Sequence, residues 1–336
     1  MSSVALGAEQ SISTNLYFGW LTQIPEKPRT IRLTEKELAT MSIGSHNLQA
    51  ALEALHNDGL VVLENAVDPA HLDHLNERMV ADAEKLKVLQ QAHVNFGTET
   101  RNFQQEPVPE DGYVFDDVIA NPWAAAILEH VLGPTPKVRL YSANTAFKAE
   151  ARQPVHIDLN HGYPHAPFGF CVNINLVSTS PENGATEFWL GSHNDPKLGL
   201  LTINGHGDDG PDPDIALEKR AARAKALGLP IGYADGLLEE RRKVRPPIQA
   251  SLPKGALIIR DIRLWHAGMP NRTDRTRIML VTVVMASWYR NNQRIVLPKR
   301  WQGRVQWGKL DPCIEWVEND RDYLTGAHDI SLAQLA

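Results

Sequence analysis

The feature that most constrains the fold is a change of pattern at Lys137. From there on, short runs rich in β-branched and apolar residues are separated by clusters of Gly, Pro, Asn and Ser. Such runs predict strands, and they cover residues 138–149, 154–158, 168–178, 185–190, 256–261 and 276–288. Many short strands joined by turns are typical of antiparallel folds made of two sheets. We therefore predict a mainly β protein with flanking helices, folded as a double-stranded β-helix, or jelly roll.

In the part of the chain before Lys137, the apolar residues recur at helical spacing instead. Apolar residues recur at helical spacing in residues 46–57 and 69–89, and Pro122 and Gly133 are the start and stop signals of a further helix. These helices are expected to brace one sheet. Residues 1–30 show no clear period, so we predict an irregular N-terminal arm followed by a single domain over residues 31–336.

An insertion interrupts the strand pattern at about residues 193–253. It contains a turn-rich acidic stretch, a helix signal from Asp214 to Gly228 and a run of charges. Long insertions are usually functional or disordered. We favour a lid that contacts substrate, with a solvated surface excursion as the alternative.

The composition argues against several classes of protein. A net charge of −6 and a pI of 6.1 indicate no broad basic surface for nucleic acid. No apolar run approaches the roughly 18 residues that span a bilayer, and the N-terminus lacks a signal-peptide pattern. Cys171 and Cys313 are too few for a disulfide framework, and the terminal SLAQLA is not a peroxisomal signal. We expect a cytoplasmic protein that acts on a small molecule.

A metal site is predicted from His156-Ile157-Asp158 and the distant His266. On a strand, residues two apart project from the same face, so His156 and Asp158 can reach one metal ion. Two imidazoles and one carboxylate are the set that holds non-haem Fe(II) and leaves positions open. The short motif alone also arises as a surface pair, but a distal histidine among strand patterns favours the metal site.

Two cations, Arg275 and Arg277, stand at the start of the strand pattern that follows His266. A guanidinium there can pair bidentately with a carboxylate lying beside the metal. A 2-oxo acid co-substrate would require such a partner.

Four stretches resemble the phytanoyl-CoA dioxygenase family of Fe(II)/2-oxoglutarate oxygenases. They are LHNDGLVVLENAVDPAHLDHLN, QPVHID, NGATEFWLGSHN and KGALIIRDIRLWHAGMPNRTDRTRIML, and together they run from about Leu55 to Leu280. The resemblance implies a cupin-like jelly roll that uses Fe(II), 2-oxoglutarate and O2. The family's usual Pro before Gly-Ser-His is Leu190 here, a departure that we expect to affect a turn more than the chemistry.

The same resemblance implies roles for individual residues. The metal ligands would be His156, Asp158 and His266. The family's 2-oxoglutarate arginine falls on Arg277 rather than Arg275, and a glutamine that contacts the co-substrate falls on Gln153. Because relatives that halogenate lack the carboxylate at the Asp158 position, the resemblance implies oxygenation rather than halogenation.

The expected reaction is oxidation of a C–H bond in a small, largely apolar metabolite, with release of succinate and CO2. Hydroxylation is favoured, while desaturation, epoxidation and rearrangement stay open, and secondary-metabolite biosynthesis is the expected setting. His161, Tyr163, Trp189 and Phe168 are candidate substrate-pocket residues. Plain solvation of His161 and core burial of the aromatic residues are the alternatives.

Other functions stay open at this point. An acyl-CoA hydroxylase of the same family would use the basic residues of the insertion, although interleaved glutamates also suit a solvated face. A divalent-metal hydrolase or isomerase could use the same ligands, and a non-catalytic binding module could retain a vestigial site. A homodimer built on Trp301, Trp307 and Trp316 is a further option.

Overall fold

A computed structural model of the chain describes residues 27–90, 92–159, 166–194 and 233–325. Its helices are α1 Glu35–Thr40, α2 Ser45–Asp58, α3 Pro69–Leu86, α4 Asp116–Ile119, α5 Pro122–Leu132 and α6 Tyr233–Val244. Its strands are β1 Thr30–Arg32, β2 Leu60–Glu64, β3 Asn102–Gln105, β4 Lys137–Ala146, β5 Gly169–Asn175, β6 Glu187–Phe188, β7 Ile248–Gln249, β8 Leu257–Asp261, β9 His266–Ala267, β10 Arg277–Met285, β11 Ile295–Pro298, β12 Asp311–Pro312 and β13 Ile314–Val317. The protein is rich in sheet and flanked by helices.

The large sheet has the strand order β1-β2-β8-β5-β10-β4-β12, with β3 also paired to β4. Its centre is antiparallel: β10 lies between β5 and β4, with Met279 opposite Asn175 on one side and Asn144 on the other. Because side chains alternate along a strand, each strand presents one set of residues to each face of the sheet.

One face of this sheet packs against the helices. Val172, Ile174, Ile278 and Leu280 lie on it, in the same buried cluster as the apolar stripe of α3. Members of that stripe, such as Leu72, are fully buried. This is the bracing that the helical periodicity predicts, since an amphipathic helix stabilises a fold by burying its apolar side.

A small second sheet of order β7-β6-β9 lies against the other face of the large sheet. Phe188 in β6 pairs with His266 in β9, and His266 also forms an isolated antiparallel bridge with His156. The segments that carry the predicted metal ligands therefore meet at the edge of the second sheet.

The structure confirms the three predicted helices and corrects one strand. Residues 154–158 form a single bridge at His156 rather than a strand. Pro154 has no N–H to donate, and the N–H of Asp158 donates to the carbonyl of Ile262 instead, at 3.0 Å. The ladder therefore ends after one rung.

Two predictions fall largely outside the described residues. They are the N-terminal arm, of which residues 1–26 are not described, and the first part of the insertion, residues 195–232 with the helix signal at 214–228. Strand β1 begins at Thr30, the last residue of the predicted arm. In the described part of the chain, no helix is both long enough and apolar enough to cross a membrane.

Candidate active site

The backbone brings the two histidine segments together. His156 and His266 each donate an N–H to the carbonyl of the other, at 3.0 Å in both directions. One ligand atom from each of His156, Asp158 and His266 lies within 4.8 Å of the others. The three side chains predicted from sequence as metal ligands therefore converge on one point.

The hydrogen bonds of the two imidazoles leave the same nitrogen available on each ring. Nδ1 of His156 lies 2.8 Å from the carbonyl oxygen of Pro154, and Nδ1 of His266 lies 2.9 Å from that of Leu264. A carbonyl can only accept, so each Nδ1 carries a hydrogen, and the neutral form of each ring has its lone pair on Nε2. Backbone carbonyls orient metal-binding histidines in this way.

Asp158 is held as an anion with its two oxygens in different roles. Oδ2 accepts from the Arg260 guanidinium at 2.6 Å and from the Cys171 thiol at 3.3 Å, whereas Oδ1 lies 3.3 Å from Nε2 of His266. Burial opposes ionisation, but the charge of Arg260, followed by the effect of the neighbouring His266, outweighs it, so the pKa of Asp158 lies well below its ordinary value.

His156 is neutral at physiological pH. Burial, followed by the effect of His266, lowers the pKa of His156 to about 3. The ring of Phe96 lies against it, with the centroids 4.4 Å apart. A neutral imidazole beside an ionised carboxylate is the protonation state that binds a divalent metal.

Arg277 is buried, with 2% of its surface exposed. It donates to the carbonyl of Asn183 at 3.0 Å and to Oδ1 of Asn175 at 3.4 Å, and both acceptors are neutral. Burial lowers the pKa of Arg277 to about 10, so it stays charged at neutral pH. Within the described ranges, no acidic side chain forms an ion pair with it, whereas Arg275 is exposed. A buried cation without an anionic partner fits a bound carboxylate.

The side chain of Gln153 is tied to the segment that follows His266. Its Oε1 accepts from the N–H of Gly268 at 2.8 Å, so Nε2 is left as the donating end. A Cβ at position 268 would lie 2.6 Å from that Oε1. Glycine is therefore required two residues after His266 for this contact to form.

The four predicted substrate-pocket residues are either fully buried or outside the described residues. Trp189 is fully buried with Ile157 and Trp265, each of which is next in sequence to a converging histidine, and Phe168 is fully buried against Tyr289. Neither ring has exposed surface, so contact of either with substrate stays a prediction. His161 and Tyr163 lie outside the described residues.

A row of side-chain amides, which the sequence alone did not indicate, lies near the site. Gln104 in β3, Asn144 in β4 and Asn175 in β5 are aligned across the sheet through Met279, on the face that carries Arg277. Nε2 of Gln104 is buried, and no acceptor for it is found among the described residues. A molecule bound beside this row would therefore need hydrogen-bond acceptors.

A sequence model of the phytanoyl-CoA dioxygenase (PhyH) family matches residues 55–279, about two thirds of the chain. The chain belongs to the phytanoyl-CoA dioxygenase family. As a member of it, the protein is an oxidoreductase that depends on non-haem iron and 2-oxoglutarate. The matched range contains all three converging ligands, together with Gln153 and Arg277.

Solved structures are also similar to this phytanoyl-CoA dioxygenase family member. SnoN, a non-haem α-ketoglutarate-dependent epimerase from nogalamycin biosynthesis, has a TM-score of 0.46 and 17% identity, covering 73% of this chain and 84% of SnoN. AviO1 from Streptomyces viridochromogenes Tue57 has a TM-score of 0.47 and 17% identity, covering 74% and 99%. SnoK, a non-haem α-ketoglutarate-dependent carbocyclase from nogalamycin biosynthesis, has a TM-score of 0.48 and 14% identity, covering 74% and 85%. The family assignment rests on the sequence match.

Within this family member, the Gly-Ser-His element supports the segment that carries His266. Ser192 Oγ accepts from the N–H of Trp265 at 2.8 Å, next to His266. His193 is buried and its Nε2 lies 3.2 Å from the carbonyl oxygen of His56. The element therefore holds the His266 segment against the end of α2, and His193 is a structural residue.

Proposed function

We propose that this protein oxidises a C–H bond of a small molecule, with iron held by His156, Asp158 and His266 and 2-oxoglutarate held by Arg277 and Gln153. The observation that carries the proposal is the convergence of three ligand atoms, with the Nδ1 atom of each imidazole held by a backbone carbonyl. Arg277, which is buried and forms no ion pair with any described residue, supports the place of the co-substrate.

Each side chain has a defined task in this proposal. The two imidazoles and Oδ1 of Asp158 bind the metal on one side and leave the opposite side open. Arg277 pairs with the distal carboxylate of 2-oxoglutarate, and Nε2 of Gln153 donates to the co-substrate. When bound, iron and 2-oxoglutarate activate O2, with release of succinate and CO2 and oxidation of the substrate.

We propose that the two sheets form the double-stranded β-helix predicted from sequence. The antiparallel large sheet and the small sheet on its site-bearing face support this assignment. Ligand sites in small barrels lie in the mouth between such sheets, and the ligand segments lie at the edge of the small sheet.

The proposed substrate is a largely apolar metabolite of secondary metabolism, with hydroxylation as the favoured outcome. An apolar cluster on the site face supports this, since it contains Cys171, which contacts Asp158, together with Leu140, Phe168 and Val283. The amide row adds a requirement for a few acceptor groups on the bound molecules.

The contacts of the basic residues in the described part of the insertion argue against acyl-CoA as the substrate. Arg241 donates to the carbonyl of Leu190 at 2.6 Å, and Arg245 pairs with Asp58 at 2.6 Å. Arg242 lies over the ring of Trp189 and pairs with Glu239. These cations hold α6 in place rather than forming an open phosphate site.

The test is an anaerobic titration with Fe(II) and then with 2-oxoglutarate, in which the visible absorption spectrum is recorded after each addition. We expect the weak charge-transfer band of a metal-chelated 2-oxo acid in the parent, and its loss in His156→Ala because one of three ligands is removed. His130→Ala, at an exposed helix position, is the control and should keep the band.

Metal bound without such a band would contradict the proposal and favour a hydrolase or isomerase on the same ligands. Failure to bind Fe(II) would favour a non-catalytic binding module. Succinate release under air, measured over a panel of candidate metabolites, then identifies the substrate.

A further inference from the structure

We propose that Arg260 is a positioning residue for the iron site. It holds Oδ2 of Asp158, so that Oδ1 alone faces the metal. This inference rests on the proposed function, because Asp158 is a metal ligand only there.

The contacts of Arg260 place it between two of the three ligands. It is buried, with 4% of its surface exposed, and its Nη2 donates to Oδ2 of Asp158 at 2.6 Å. Its Nη1 lies 3.3 Å from Nδ1 of His266. A charge-assisted hydrogen bond of this length is strong, and it occupies the oxygen that a bidentate carboxylate would use on the metal.

The sheet register explains why Arg260 reaches this position. Arg260 in β8 lies directly opposite Cys171 in β5, so both side chains leave the same face of the sheet. The Cys171 thiol donates to the same Oδ2 at 3.3 Å. Two neighbouring strands thus direct donors at one oxygen of Asp158, and none of their hydrogen bonds goes to Oδ1.

Arg260 is not needed as a partner for Asp261, the acidic residue next to it in the sequence. Asp261 is bound by Arg263, whose Nε donates to Oδ1 at 2.9 Å and whose Nη2 donates to Oδ2 at 2.5 Å. Arg263 and Asp261 are as deeply buried as Arg260. Arg260 and Arg263, three residues apart, are therefore both buried arginines paired with an aspartate, and of these two aspartates only Asp158 is a proposed metal ligand.

This pairing offers a matched experiment. Arg260→Met removes the cation at similar volume, Arg260→Lys keeps a charge with fewer donors, and Arg263→Met removes the cation of the other pair. Loss of a residue that orients a metal ligand typically lowers metal affinity about 10–100-fold. We expect the anaerobic Fe(II) Kd to rise at least about tenfold in Arg260→Met, to recover partly in Arg260→Lys, and to stay at the parent value in Arg263→Met.

A second readout reports coordination directly. The visible absorption of the Co(II)-substituted protein depends on ligand number and geometry. We expect it to change in Arg260→Met, where both oxygens of Asp158 become free to turn toward the metal, and to be unchanged in Arg263→Met. Thermal unfolding of the metal-free proteins separates general loss of stability from loss of metal affinity, because both methionine variants leave an aspartate without its arginine.

A crystal structure of the metal-bound parent tests the same point without any variant, should Arg260→Met fail to fold. Oδ2 of Asp158 bound to the metal, or Arg260 turned away from it, would overturn the proposal. An Arg260→Met protein with the parent Kd and Co(II) spectrum would overturn it as well. A parent that binds no Fe(II) would refute the proposed function instead, so the two failures are distinguishable.

Discussion

At the scale of single residues, the site combines groups whose charge states are set by what surrounds them. Asp158 is ionised although partly buried because Arg260 and His266 lie beside it, and His156 is neutral because burial disfavours its charge. Arg277 keeps its charge, but its acceptors among the described residues are neutral. A dianionic co-substrate would therefore supply the carboxylate that Arg277 lacks.

The first prediction at this scale compares two arginines two residues apart. Arg277→Met should raise the KM for 2-oxoglutarate by at least about 30-fold, since losing one partner of a buried charge pair costs about 2–5 kcal/mol. Arg275→Met, at an exposed position, should leave it unchanged. Succinate release at varied 2-oxoglutarate measures both, and equal effects of the two substitutions would contradict the role of Arg277.

At the scale of elements, two of the helices that brace the large sheet, α3 and α5, begin at side-chain caps. Asn121 caps α5: its Oδ1 accepts from the N–H of Ala124 at 3.1 Å, and its Nδ2 donates to the carbonyls of Ala66 and Asp117, both at 2.9 Å. Asp68 caps α3 by accepting from Ala70, but it is exposed. The Asn121 cap thus joins α4 and the loop at Ala66 to α5, whereas the Asp68 side chain caps only its own helix.

This difference predicts unequal costs for removing the two caps. Asn121→Ala should lower the free energy of unfolding by about 2–4 kcal/mol, because a cap is lost and buried carbonyls are left unpaired. Asp68→Ala should cost about 1 kcal/mol. Denaturant unfolding of both variants checks this, and a smaller loss for Asn121→Ala than for Asp68→Ala would show that the buried bonds contribute little.

At the scale of the whole molecule, the C-terminal segment is tied to α3 through a buried carboxylate. Asp82 accepts from Tyr323 at 2.6 Å, from Arg78 at 2.9 Å and from Lys85 at 2.9 Å. Burial opposes its ionisation, but these hydrogen bonds and the charge of Arg78 outweigh it, so the pKa of Asp82 is lowered. Residues far apart in the chain are thereby joined on the helical side of the sheet.

The lowered pKa of Asp82 predicts how stability depends on pH. A carboxylate with a lower pKa in the folded state stabilises the protein above its unfolded pKa of about 3.9, and this contribution is lost as pH falls through the folded pKa. Asp82→Asn should therefore cost about 3–5 kcal/mol at pH 7, and the difference from the parent should shrink as the pH is lowered from about 5 toward 3.

A surface pair supplies the control for this pH experiment. Asp73 pairs with Lys254 but its side chain is largely exposed, so Asp73→Asn should cost less than about 1 kcal/mol. Denaturant unfolding across pH measures both variants. A constant difference between Asp82→Asn and the parent at all pH values would show that Asp82 does not titrate with folding.

The sequence by itself determined the features that depend on local spacing. Helical periodicity and the Pro122 and Gly133 signals marked the helices, β-branched and apolar runs between turn residues marked β4, β5, β8 and β10, and the residue types of His156, Asp158 and His266 indicated the metal. Only the tertiary structure decided which side chains meet across strands. Arg260 reaches Asp158, and Gln104 joins Asn144, because strands far apart in sequence pair in one register. A shift of one residue would turn each of these side chains to the opposite face, and local sequence does not specify that register.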